Sequence, residues 1–358
     1  MKQRCWLAVV TLLIAAAANG QPTSQQSWTF AVSGDSRNCG DIVMPLIAVD
    51  AAKNKAEFYW HLGDLRATYD FDQDILARRQ RAGVQARMTI NDYLRTEWDD
   101  FIQQQAAAFK MPVFLGIGNH ETVAPKDRGQ FIIQFADWLD SPVLQRQRLE
   151  DDPNDRRLRT YFHWVRDGVD FIYLDNVSND QFDNAQLAWF EGVLKRDTGN
   201  SSVQTVVIGM HVPLPDSLSL SHSMSDWALG EQSGRRVYQD LLRLQNEGHK
   251  HVYVLGSHSH FFMAGIFNSE YLRSHGGVLP GWIVGTGGAT RYALPPGAVQ
   301  AEAAKTNVYG YLLGTVAADR TIRFEFHEVK ETDVPASLAA EYPPEALHEC
   351  FAGNAQRQ

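Results

Sequence analysis

The chain of 358 residues is 44% hydrophobic and 21% charged, an ordinary globular balance that excludes a mainly disordered, collagen-like or multispan membrane protein. Its 33 basic residues face 42 acidic ones, a formal charge of −9, which makes a poor nucleic-acid surface and a good host for cations.

At the start, Lys2 and Arg4 precede an apolar stretch from Cys5 to Ala18 and a small-residue end, Ala18-Asn19-Gly20. This is a secretory signal pattern, and its apolar run is short of the ~20 residues that span a bilayer. A secreted or periplasmic location is therefore expected for a domain over 28–330 with a C-terminal tail over 331–358. No later segment is apolar enough to span a membrane, and losing Lys2 and Arg4 takes the charge to near −11. Two cysteines then remain, Cys39 and Cys350. In an oxidising compartment they either pair and tie the tail beside the first loop, or stay unrelated thiols.

Along the chain, short apolar runs read as buried strands: Trp28–Ser33, Phe58–Leu62, Pro112–Ile117, Val169–Leu174, Val203–Gly209, Val252–Leu255 and Trp282–Val284. Helical patterns fall between them at Asp41–Lys53, Tyr93–Phe109, Gly129–Leu139, Asn184–Lys195 and Ser233–Asn246. The alternation predicts an α/β sheet with helices on its faces. Tyr309–Val316 and Thr321–Val329 read as a terminal hairpin. The stretches 72–95, 145–159 and 217–225 read as surface insertions, and there is no internal repeat.

Metal-capable side chains collect at the strand ends. Gly34-Asp35 follows the first run, Gly63-Asp64 the second and Gly118-Asn119-His120-Glu121 the third; His211 ends the fifth, and His258-Ser259-His260 follows the sixth. In an open α/β sheet the carboxyl ends of strands share one edge, so residues distant in sequence meet there. The set holds two carboxylates, one amide oxygen and three imidazoles, which suits transition metals better than calcium or magnesium. Six donors exceed one open tetrahedral site and suit two divalent ions sharing a carboxylate. His258 and His260, spaced by two, point the same way if the segment is extended. A His-x-His pair alone is weak evidence, since His249-Lys250-His251 forms another, which reads as solvated surface. Only the ordered set carries weight.

That ordered set resembles the calcineurin-like metallophosphoesterase family, from about Trp28 to Val329, and 186–190, Gln-Leu-Ala-Trp-Phe, resembles a recurrent segment of it. The resemblance implies a four-layer αββα sandwich of two mixed sheets flanked by helices, and a hydrolase of phosphate esters using two transition-metal ions. By position, Asp35, Asp64 and His260 would hold one ion, and Asp64, Asn119, His211 and His258 the other, with Asp64 bridging. A metal-bound hydroxide would attack phosphorus, His120 would protonate the leaving alcohol and Glu121 would orient that imidazole. Monoester and diester substrates are both compatible, and so is an inactive metal- or phosphate-binding module.

Two departures stand out. Arg37 sits where the family has a histidine ligand, and a guanidinium cannot ligate a metal. It is suited instead to a phosphoryl oxygen, or to a structural salt bridge. Ser257 replaces the glycine before His258, for which only a small backbone adjustment is expected. Ala67 stands where purple acid phosphatases carry a tyrosine ligand, with Tyr69 close by. Of the remaining polar groups, His222 would reach substrate from its loop or stay exposed, and His61 reads as a core residue behind Asp64. Asp41 reads as a helix N-terminal cap, and Asp175 and Asn176 as supports with no ligand role.

Overall fold

The computed structural model describes residues 27–353 except Asn179. The expected signal segment, 1–20, lies outside the described residues, and none of the described helices is long and apolar enough to cross a membrane.

Among the described residues there are twelve strands: β1 (Trp28–Ser33), β2 (Ala56–His61), β3 (Val113–Leu115), β4 (Phe162–Arg166), β5 (Val169–Leu174), β6 (Thr205–Met210), β7 (His251–Gly256), β8 (Phe262–Ala264), β9 (Gly281–Val284), β10 (Ala303–Lys305), β11 (Tyr309–Val316) and β12 (Ile322–Val329). They form two mixed sheets, ordered β12-β11-β1-β2-β3 and β10-β8-β9-β7-β6-β5-β4. β1, β2 and β3 run parallel, as do β5, β6, β7 and β9.

Why two sheets and four layers follows from side-chain alternation along the strands. In β1 and β2, Phe30, Val32, Phe58 and Trp60 point into the space between the sheets, while Ala31 and Tyr59 point to the opposite face. In β5, Phe171 and Tyr173 meet that same inter-sheet core, while Ile172 and Leu174 face outward. The inter-sheet core is aromatic: Phe58 packs edge-on against Phe171 at 5.2 Å, Phe114 at 5.4 Å and Trp164 at 5.6 Å. Each such ring contributes about 1.5–3 kcal/mol by leaving water. Helix Gly40–Lys53 covers the outer face of the first sheet, and helices Asn184–Gly199 and Ala228–Asn246 cover the second. Strands buried on both sides have no polar face, which is why they read as continuous apolar runs.

The expected helix at Tyr93–Phe109 instead starts at Ile90, where Thr89 and Asp92 form a capping box, and ends at Gln104. That at Gly129–Leu139 is broken at Phe135, whose ring is buried in the inter-sheet core. Asp41 is not the cap expected of it; Cys39 holds that position. The Asp41 carboxylate lies buried, 2.7 Å from Arg66 and 2.8 Å from Arg78. Arg66, itself fully buried, also meets Asp100 at 2.7 Å. The expected insertions contain helices Gln73–Arg81 and Pro142–Asp151.

Cys39 and Cys350 are disulfide-bonded, with Cα atoms 5.9 Å apart across 311 residues of sequence. The tail therefore packs on helix Gly40–Lys53, with Tyr342 and Leu347 buried beside it.

At the β4 edge, His163 is buried between Asp151, 2.6 Å from Nε2, and Asp170, 2.8 Å from Nδ1. Burial opposes its charge, but the two carboxylates outweigh it and push the imidazole up to about 10. Burial and Asp170 push neighbouring Asp197 up to about 8. A histidine whose pKa is raised on folding stabilises fully below its unfolded value near 6.5, and that contribution is lost as pH rises through 10. Asp197 acts in the same direction, since its folded form resists giving up a proton. Unfolding free energy is expected to fall by about 5 kcal/mol between pH 6.5 and 10. Urea titrations at a series of pH values check this, and His163→Gln should flatten the profile; an unchanged slope in that variant would assign it to other groups.

Candidate metal centre

The site is built where the carboxyl ends of β1, β2 and β3 meet those of β6 and β7. Asp35 and Asp64 leave their strands with φ of 58° and 59°, and His258 with φ of 64°. These are left-handed conformations that non-glycine residues seldom adopt, and they cluster at functional sites. His258 therefore turns the segment rather than extending it, and the two rings of His-x-His serve different halves of the centre. The glycines make room: a Cβ on Gly118 would lie 2.2 Å from Asp64 Oδ1, and one on Gly34 would lie 2.1 Å from Ser257 Oγ.

Two groups of donors converge, and Asp64 belongs to both. One is Asp64, His211 and His258; the other is Asp35, Asp64 and His260. In the first group, His211 Nε2 lies 2.9 Å from Asn119 Oδ1, 3.3 Å from Asp64 Oδ1 and 3.2 Å from His258 Nδ1. In the second, His260 Nε2 is 3.2 Å from Asp35 Oδ1. Asp35, Asp64, His211 and His260 are buried, whereas Asn119 and His258 are partly exposed and mark the opening.

Backbone carbonyls set the imidazole tautomers. A carbonyl only accepts, so His211 donates from Nδ1 to Leu62 O at 3.0 Å and His260 from Nδ1 to Thr290 O at 2.6 Å. Each thereby keeps the Nε2 lone pair turned into the site. Asp35 Oδ1 and Asp64 Oδ2 are buried acceptors without a hydrogen bond, which is costly unless a cation stands opposite them. Carboxylate oxygens and imidazole nitrogens converging on one point fit a divalent transition metal.

Electrostatics follow the same geometry. Burial would raise Asp35, but His260 and His211 outweigh it and hold the carboxyl well below its usual range. Asp64 is lowered against its burial by His120 and His211. Burial opposes charge on His211, yet Asp64 and Asp35 raise it. His258 is pushed down to about 3 by burial and by His211.

His120 lies beside the centre, with Nε2 3.6 Å from Asp64 Oδ2 and Nδ1 2.6 Å from Ala67 O. Glu121 does not orient it, contrary to the expectation. The Glu121 carboxylate accepts instead from the backbone N–H groups of Asp64 at 2.9 Å, Leu65 at 2.9 Å and Gly118 at 2.7 Å. It ties the loops after β2 and β3 together, and burial together with Asp64 pushes it up to about 8.

Arg37 enters the centre. Its Nη2 is 3.1 Å from His260 Nε2, its Nε 3.8 Å from Asp64 Oδ2 and its Nη1 3.3 Å from Tyr69 Oη. Ser257 does more than adjust the backbone: its hydroxyl donates to Asp35 Oδ2, which also accepts from His258 N at 2.7 Å. His61 is buried behind the site, with Nε2 3.0 Å from Ser36 Oγ. His222 sits at the rim, its ring 5.5 Å from that of His258 and 5.1 Å from that of Tyr292. Tyr292 has no motif to announce it, yet it stacks on His260 at 3.9 Å. Asn176 braces the chain after His211 through Val212 O at 2.6 Å, and Asp175 is held by Arg128 at 2.7 Å. His249 and His251 are exposed.

No protein-family model matches the sequence, and no curated protein matches it. Among solved structures, the chain is similar to a purple acid phosphatase from yellow lupin (Lupinus luteus) seeds, with a TM-score of 0.56 and 15% identity over 85% of this chain. It is also similar to a dimetal phosphatase from Danio rerio, with a TM-score of 0.51 and 12% identity over 84% of this chain and 95% of that one. The chain spans about half, 52%, of the lupin protein's length. Two mixed sheets flanked by helices are common to them, so what the chain shares with these two phosphatases is the fold.

Proposed function

We propose that the chain is an exported, metal-dependent hydrolase of phosphate esters. One observation carries this reading: two groups of metal-capable side chains share Asp64 at the joined carboxyl edges of both sheets, in a fold that phosphatases also have. The disulfide and the leader-like start support export.

A divalent ion held by Asp64, Asn119, His211 and His258 would lower the pKa of a coordinated water and offset phosphoryl charge. The chain's own groups supply the rest. Arg37 brings a fixed positive charge to the phosphoryl oxygens. His120, anchored through Nδ1 on Ala67 O, turns Nε2 toward the centre and gives its proton to the departing alcohol oxygen. Glu121 holds the loops carrying Asp64 and His120 at a constant separation.

The deciding experiment is hydrolysis of p-nitrophenyl phosphate and bis(p-nitrophenyl) phosphate by the purified chain, with metal content measured alongside. Turnover lost to chelator and restored by manganese, iron or zinc is expected; bound metal with no turnover on either ester would leave a binding module. His120→Ala should retain metal while turnover falls about 10²- to 10³-fold, most for poor leaving groups. Equal losses for good and poor leaving groups would remove the acid role.

A further inference from the structure

Resting on that reading, we propose that Arg37 takes the place of one cation in the paired centre, so that the chain binds a single divalent ion, on Asp64, Asn119, His211 and His258.

The two halves of the centre differ in what already fills them. In the half formed by Asp35, Asp64 and His260, the imidazole has committed Nδ1 to Thr290 O, so its one lone pair is on Nε2. Arg37 Nη2 lies 3.1 Å from that nitrogen. A guanidinium has no lone pair to offer and always donates, so it occupies the lone pair an ion would need. Its Nε faces Asp64 Oδ2 at 3.8 Å, and both atoms are buried with no hydrogen-bond partner. Arg37 is only 9% exposed and is steadied outside by Tyr69 Oη. Among the described residues, no arginine or lysine is hydrogen-bonded or ion-paired to Asn119, His211 or His258 in the other half. There Nε2 of His211 meets two oxygen acceptors, Asn119 Oδ1 and Asp64 Oδ1, and His258 Nδ1, all within 3.3 Å, a convergence that a bound ion would satisfy.

Charge points the same way. Two carboxylates, Asp35 and Asp64, face the centre, and Arg37 is always protonated. Two divalent ions with Arg37 would leave three uncompensated positive charges in a buried site, whereas one ion with Arg37 leaves one. Uncompensated buried charge is expensive, and a lone positive charge suits an incoming phosphate ester. The guanidinium would thus do permanently, and without depending on metal supply, what a second ion does by binding.

The test is manganese stoichiometry of the full chain by elemental analysis after loading and desalting, read together with its electron paramagnetic resonance spectrum. Wild type is expected to hold one ion per chain with the six-line signal of isolated manganese. Arg37→His should raise this to two ions with an exchange-coupled signal, and Arg37→Ala should likewise raise occupancy from one toward two. His260→Ala should keep the single ion, and His258→Ala should lose it. Two ions in wild type overturn the proposal while leaving a metal-dependent hydrolase intact, as does a single ion that departs with His260. If neither Arg37 variant folds, judged by circular dichroism, the wild-type count and the His260 and His258 variants still decide. No bound ion in any folded form would overturn the metal centre itself.

Discussion

If the proposed hydrolysis holds, Asp64→Ala is expected to abolish metal binding and to lower turnover of phosphate esters by at least ~10³-fold, on the scale seen when preorganised transition-state charge stabilisation is removed. The size of the effect comes from how many contacts meet on this one carboxylate. Asp64 is common to both donor groups, its Oδ1 accepts from His120 N at 3.0 Å, and its Oδ2 faces Arg37. Truncation therefore removes a ligand and frees the loop that places His120. Asp64→Asn keeps the shape and the acceptor for His120 N but not the charge, so it separates the two losses. Metal content, hydrolysis and thermal melting of both variants check this. Full metal occupancy in Asp64→Ala would show that the shared ligand is some other group.

The second large effect concerns stability. Cys350→Ser opens a loop of 311 residues, for which the chain-entropy treatment gives about 6 kcal/mol as an upper figure. A realised loss of about 3–4 kcal/mol is expected, because Tyr342 and Leu347 still bury apolar surface on helix Gly40–Lys53. Urea unfolding with and without reductant reads it: wild type should fall toward the variant on reduction, and the variant should not respond. Cys39 caps the helix that follows Arg37, so reduction should also weaken turnover by loosening the loop that carries the guanidinium. Reduced wild type that melts as the oxidised form does would show that packing alone holds the tail.

Much of the architecture was legible because it rests on patterns a chain displays openly. β1 and β5 match the expected runs residue for residue, and the other strands at the site match within two or three, since a strand buried on both faces writes itself as unbroken apolar sequence. β4, β8 and β10 were not anticipated. β4 is an edge strand containing His163 and Arg166, and the other two span three residues each, too few for a period to show. The same divide runs through the site. Asp35, Asp64, Asn119, His211, His258 and His260 stand after strands, and topology alone gathers them. What they lean on is mostly backbone: the carbonyls of Leu62, Ala67 and Thr290, and the N–H groups held by Glu121. A carbonyl has no letter in the sequence, so Glu121 was read by its neighbour His120 rather than by the amides it binds. Ser257 was visible as a departure, but its bond to Asp35 joins residues 222 positions apart and emerges only when both sheets are assembled.

The three left-handed residues at the centre, Asp35, Asp64 and His258, have a bearing on how such a chain would age. Each holds a conformation that costs an L-residue about 1–2 kcal/mol, and two of them bury a carboxylate as well. Selection for folding alone would favour replacing them. A descendant freed from its chemistry should therefore keep its aromatic interior and erode first at these corners, where it would gain robustness by forgetting its trade.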